Sequence, residues 1–159
     1  MLANHQNWHG LPDLKVRGPV VEYPEDLMIP VERASFPTNC PYCGSGEPLH
    51  KHGCREQVVL DLPVKQKHVS LLILRRRYKC RNCGAVFWEE LSEVDRKRRM
   101  TKRLVKMIRD LLIADYTYVG IANLIGVHEK TVRNIHKDCS KGTSFKECTK
   151  GNCDAERHR

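Results

Sequence analysis

Two short turns, Cys40-Pro41-Tyr42-Cys43-Gly44 and Cys80-Arg81-Asn82-Cys83-Gly84, constrain this chain more than any other feature. Each is a C-x-x-C-G unit that aims two thiolates at one point, with a glycine where the chain must turn back. Four sulfurs match the tetrahedral preference of structural Zn²⁺. The 36 residues between the pairs exceed the spacing of short fingers, but they accommodate a β-hairpin that returns the second pair to the first. That is a zinc ribbon. Cys40, Cys43, Cys80 and Cys83 are therefore the expected ligands, and four thiolates leave no open position, so the metal is expected to be structural rather than catalytic. Iron is the all-cysteine alternative. Neither pair opens a helix after a strand, which argues against a thioredoxin-type redox pair. His50, His52 and Cys54 alternate and so are expected to share one strand face, as surface residues. Cys139, Cys148, Cys153 and His158 are too irregularly spaced to define a second site.

The hairpin is expected from two β-rich runs, Gln57–Leu62 and Val69–Arg77, with the turn at Pro63 and Lys65-Gln66-Lys67 and a third strand over Ala85–Trp88. Before it, residues 1–38 contain apolar patches at Leu14–Val16, Val20–Val21 and Leu27–Val31. Prolines at 12, 19, 24, 30 and 37 point to edge strands and turns there, not to a central sheet position.

From residue 91 the period changes. Leu104, Met107, Ile108, Leu111 and Leu112 recur at helical spacing, with Thr101 as N-cap. Val119–Ile125 and Glu129–Lys137 fit two further helices. Ala122, Gly126 and Val132 supply the small residue at a helix crossing, the turn residue and the apolar lock of a helix-turn-helix, while Ile121, Ile125, Val127 and Ile135 face its core. The N-terminal half of the last helix then presents Lys130, Thr131, Arg133 and Asn134 to base edges, with His136 and Lys137 nearer phosphate. The domains expected are thus a strand-forming segment (1–38), a zinc ribbon (39–90), a helix-turn-helix (91–137) and a flexible tail (138–159). The fold class is α+β: a small β-rich ribbon followed by three helices.

Charge supports a polyanionic partner. The chain carries a net +9, and Arg75–Arg109 alone holds 13 Lys or Arg against 4 Asp or Glu, so the surplus is one block. Arg75, Arg77, Arg98, Arg99, Lys102 and Arg103 are the candidates in that block for duplex phosphates. In a strand, Arg75 and Arg77 share one face and Arg76 the other. No stretch is long and apolar enough for a bilayer, and the polar start lacks a signal-peptide pattern, so a cytoplasmic, nucleoid-associated location with reduced thiols is expected.

The order of these motifs resembles a known family. Cys40-Pro-x-Cys-Gly-Ser, Asp61-Leu62-Pro63, Arg-Arg-Tyr-x-Cys-x-x-Cys, Arg99-Met100-Thr101-x-x-Leu104 and the helix-turn-helix follow one another as in the N-terminal half of ISL3-family insertion-sequence transposases. The resemblance covers roughly residues 11–137. It implies the same four zinc ligands, and DNA contact by the helix ending at Lys137. In that family a catalytic domain with acidic metal-binding residues follows. Asp61, Asp95, Asp110 and Asp115 are scattered and match no such triad, so no enzymatic activity is expected. The expected function is sequence-specific binding of double-stranded DNA by a truncated transposase or a regulator of transposition, with a full-length transposase or a second copy of the chain as further partners. The competing reading is a zinc-ribbon adaptor that binds protein or RNA without catalysis.

Overall fold

The computed structural model describes residues 10–141, in six strands and three helices. The strands are β1 (Leu14–Val16), β2 (Val21–Glu22), β3 (Asp26–Arg33), β4 (His50–Val64), β5 (Lys67–Lys79) and β6 (Val86–Trp88). The helices are α1 (Lys102–Ile113), α2 (Tyr118–Ile125) and α3 (Glu129–Lys141). Two compact units result, divided after Leu104.

In the first unit β5 is the spine. It pairs antiparallel with β4, parallel with β3 and, near its end, antiparallel with β6; β1 and β2 both pair with the far edge of β3. Alternation decides which face is buried. Val69, Leu71 and Ile73 point to one side, where the register sets Ile29 and Val59 beside Leu71, and Val31 beside Ile73. Leu11, Leu14 and Val94 close this core. Each buried aliphatic side chain stabilises by about 1.5–3 kcal/mol. Further along β5 the packing changes face: Tyr78, of opposite parity, is buried with Cys40, Cys80 and Phe87. The β4–β5 hairpin turns through Lys65 and Gln66, with φ of 49° and 65°, the two left-handed residues that a tight two-residue connection demands.

Several expectations change here. The proline-rich segment is not confined to edges: β3, with Pro30, lies between β1/β2 and β5. The Pro30 carbonyl accepts from Arg17 N at 3.0 Å, so its missing N–H faces the same side, where the chain leaves the sheet between β1 and β2. No ladder bond to β5 is lost. The strand-forming segment and the ribbon therefore share one sheet, within a compact unit that runs to Leu104. β4 carries a bulge between Lys51 and Cys54, so His50, His52 and Cys54 do not continue one alternation, although all three are exposed as expected.

In the second unit Val105, Ile108, Ile121, Ala122, Ile125, Val132 and Ile135 are buried. Val105 was not in the expected stripe. Thr117 caps α2 by accepting from Gly120 N, and Gly126 ends it in the left-handed conformation at φ 77°. α3 continues to Lys141, four residues past its expected end, so residues 138–141 are helix rather than tail. Their sequence, Asp-Cys-Ser-Lys, contains neither glycine nor proline to stop it, and Ser140 bonds back to the His136 carbonyl at 3.1 Å. Residues 142–159, with Cys148, Cys153 and His158, lie outside the described residues.

Candidate metal centre and nucleic-acid interface

The two knuckles are built alike. In the first, Cys40 N donates to the Ser45 carbonyl at 3.0 Å and Gly44 N to the Cys40 carbonyl at 2.9 Å. In the second, Cys80 N donates to the Ala85 carbonyl at 2.8 Å and Gly84 N to the Cys80 carbonyl at 3.1 Å. Gly44 and Gly84 hold φ of 70° and 72°, where a side chain would be strained. The hairpin closes the gap and sets all four Sγ atoms within 4.8 Å of one another. Cys40–Cys83 and Cys43–Cys80 are each separated by 3.7 Å. A tetrahedron of sulfurs about 2.3 Å from Zn²⁺ has S···S edges of about 3.8 Å, so the donor set fits that ion. Crowding separates the thiols' acidities. Cys43 is lowered to about 6, first by a backbone hydrogen bond from Ser45 and then by Asn82. Cys83 is favoured as thiolate by the Ala85 backbone, but burial and the neighbouring sulfurs outweigh this and raise it to about 11. A divalent cation removes that conflict by holding all four as thiolates. The metal is structural zinc.

Asp61, isolated in the sequence, is 4% exposed and pairs with the start of α1. Thr101 Oγ1 donates to its Oδ1 at 2.7 Å, Arg103 Nε donates at 2.8 Å, and Arg103 Nη2 completes a two-point ion pair. Thr101 also accepts from Leu104 N at 3.3 Å, capping α1 as expected. Burial pushes the Asp61 carboxyl up, but the bonds from Arg103 and Thr101 outweigh it and its pKa is lowered. The Asp-Leu-Pro and Arg-Met-Thr motifs are thus two halves of one lock.

The helix-turn-helix presents one polar stripe. Lys130, Arg133, Asn134 and Lys137 are exposed on α3, Thr131 is half-buried, and Val132 and Ile135 are buried against the interior. Arg133 lies 4.8 Å from the Tyr118 ring centre and pairs with Glu129, one turn back, through its Nε at 2.8 Å. Tyr118 OH is 2.6 Å from His136 Nδ1. Val127 is half-buried, as a turn residue.

The basic block divides. Arg103 is held by Asp61, and Arg98, its side chain 12% exposed, by Asp95 at 3.5 Å. Arg99 and Lys102 remain exposed and line a cleft of about 510 Å³, together with Gln57, Arg75, Trp88 and Arg96. Arg75 and Arg77 share a face as expected, and Arg76 takes the other, over Phe36 and beside Glu32. Sequence reasoning missed Arg55 and Trp88. Arg55 sits directly opposite Arg75, and its guanidinium is 4.4 Å from the Trp88 ring centre.

One unit holds a ribbon with four clustered cysteines suited to a metal, and the other a helix-turn-helix, the pair of modules found in transposase DNA-binding regions. The model for the zinc-finger of transposase IS204/IS1001/IS1096/IS1165 matches residues 37–83, all four cysteines included. The model for the helix-turn-helix domain of transposase family ISL3 matches residues 89–140. The chain carries the zinc finger and the helix-turn-helix of the ISL3 family. Transposase for insertion sequence element IS1001 from Bordetella parapertussis is 34% identical over 122 residues, which span 74% of this chain and 29% of that protein. No solved structure matches. Among the described residues, no helix is long and apolar enough to cross a membrane.

Proposed function

We propose that this chain is a sequence-reading DNA-binding module of an ISL3-type transposition system, acting by binding rather than by chemistry of its own. The observation that carries the reading is the exposed stripe Lys130, Arg133, Asn134 and Lys137, fixed by burial of Val132 and Ile135 on the opposite side of α3. Arg133 and Asn134 have the donor and acceptor geometry for guanine and adenine edges. Lys137 and, in the first unit, Arg99 and Lys102 hold phosphates; Arg98 and Arg103 serve the fold through Asp95 and Asp61. Zinc orders the ribbon and takes no part in base readout. The module works at the nucleoid in the cytoplasm, in transposition or its regulation, where it meets a full-length transposase or its own copy on DNA.

Duplex binding followed by fluorescence anisotropy tests this. Asn134→Ala is expected to cost about 1–3 kcal/mol on the preferred sequence and relax specificity, whereas Lys137→Ala weakens all sequences alike and lowers the salt slope by about 1. Equal affinity for duplex DNA, single-stranded RNA and heparin, unchanged by Asn134→Ala, contradicts the reading and favours an adaptor.

A further inference from the structure

Three arginines converge on one indole. Arg55 on β4, Arg75 and Arg77 on β5 and Trp88 on β6 occupy three adjacent strands on one face of the sheet. The guanidinium carbons of Arg55, Arg75 and Arg77 lie 4.4, 5.9 and 5.8 Å from the Trp88 ring centre. Stacking favours each of them singly. Together they repel, and Arg55 and Arg75 are a directly opposed cross-strand pair, a placement that destabilises a sheet when charges are alike.

The nearby carboxylates do not neutralise the cluster. Glu89 turns its side chain to the Arg76 backbone, 2.9 Å from Arg76 N, and offers Arg75 only its carbonyl, at 3.0 Å. Glu56 pairs with Arg17, Glu90 with Arg96 at 2.5 Å, and Asp95 with Arg98. Arg77 Nε is buried with no hydrogen-bond partner among the described residues. Burial, and then Arg55, lower the pKa of Arg75 against a smaller opposing pull from Glu89, as expected where a cation is crowded by another. The same face runs on through Gln57 into the cleft that Arg96, Arg99 and Lys102 line.

We infer that Arg55, Arg75 and Arg77, braced on Trp88, form a phosphodiester-binding site on the ribbon sheet, by which this unit grips a DNA backbone on its own account. The inference rests on the DNA-binding reading above but places a contact outside the helix-turn-helix. A phosphate oxyanion between the guanidiniums converts like-charge repulsion into paired charge-assisted hydrogen bonds. The indole fixes the planes of the guanidiniums and leaves their N–H edges for the anion. Such a site gives affinity without sequence preference.

The test uses the full chain with Trp8→Phe, which leaves Trp88 as the sole tryptophan. A short duplex of arbitrary sequence is titrated while Trp88 emission and anisotropy of the labelled duplex are followed at several salt concentrations. The parent is expected to show a Trp88 change that saturates with binding. Arg55→Gln, an exposed position, lowers the slope of log affinity against log salt by about 1, and Arg55→Gln with Arg75→Gln by about 2. Melting temperature stays at or above the parent value as the like-charge pair is relieved, zinc content is unchanged, and Arg55→Lys recovers much of the slope. A silent Trp88 and an unchanged slope in both variants, with tight duplex binding and sensitivity to Asn134→Ala, overturn this site and leave the DNA-binding function standing. A parent chain that binds no duplex at low salt overturns both.

Discussion

The two halves of the β4–β5 hairpin are ordered by different physics. Near the turn, Val59, Val69, Leu71 and Ile73 are buried against Ile29 and Val31 of β3, and apolar area holds the strands. Near the knuckles, β4 from His50 to Glu56 is exposed on both faces, and packing reduces to Tyr78, Phe87, Leu49 and the two buried cysteines. So small a cluster cannot order a strand pair by itself; four thiolates closed on one ion supply what area does not. The difference teaches where each insult acts: removing metal disorders one end of the hairpin, and hollowing the core disorders the other.

The largest effect is expected from the metal. Structural zinc in finger peptides is worth about 10–16 kcal/mol in apparent terms, so Cys80→Ser or a strong chelator should strip amide-exchange protection from His50–Glu56 and Val86–Trp88. Protection at Leu71 and Ile73 should persist. Collapse of both ends together would erase the distinction between them. Next is Leu71→Ala, fully buried, which should lower urea-unfolding stability by about 2–5 kcal/mol, with the tetrathiolate signature of cobalt-substituted protein unchanged. Asp61→Asn comes third. Breaking a buried ion pair costs about 3–5 kcal/mol, reduced here to roughly 2–3 because Arg103 is partly exposed. The sign follows from the lowered pKa of Asp61: its contribution is complete above the unfolded carboxylate value of about 3.9 and is lost as pH falls through the lower folded value. Acid unfolding followed by circular dichroism should therefore lose this component in Asp61→Asn. The smallest effect is a gain. Gln66→Gly relieves a left-handed residue at φ 65° and should raise stability by about 0.5–1 kcal/mol at the turn end, without altering zinc affinity.

The sequence was legible where chemistry is local. Two C-x-x-C-G turns name their ligands without a fold, and the spacing of Ala122, Gly126 and Val132 places the helix crossing, the turn and the apolar lock of the helix-turn-helix, whereas Leu72 and Leu74 leave the buried face of β5 undecided. It was opaque where meaning depends on register. Val64 pairs with Lys67 at the turn, and extending that register unbroken would set Arg55 opposite Arg76. The irregularity between Asp61 and Val64 slips the pairing by one, so Arg55 meets Arg75 and joins the Trp88 face instead. Pro63 lies within the slip and marks an irregularity there, but a proline does not say in which direction or by how much the pairing shifts. The pairing of Asp61 with Thr101 and Arg103 is likewise 40 residues or more away in sequence, and a lone acidic residue carries no sign of such a partner. Pro30 was misplaced for a related reason: which side of a strand its missing N–H faces is set by its neighbours, not by its own identity.

X-ray absorption at the zinc edge on the purified full chain tests the central claim most directly. One zinc per chain with four sulfur neighbours at about 2.3 Å and no nitrogen in the shell is the expected result. A folded chain that holds no metal, or a shell in which histidine nitrogen replaces sulfur, contradicts the tetrathiolate ribbon on which the rest is built.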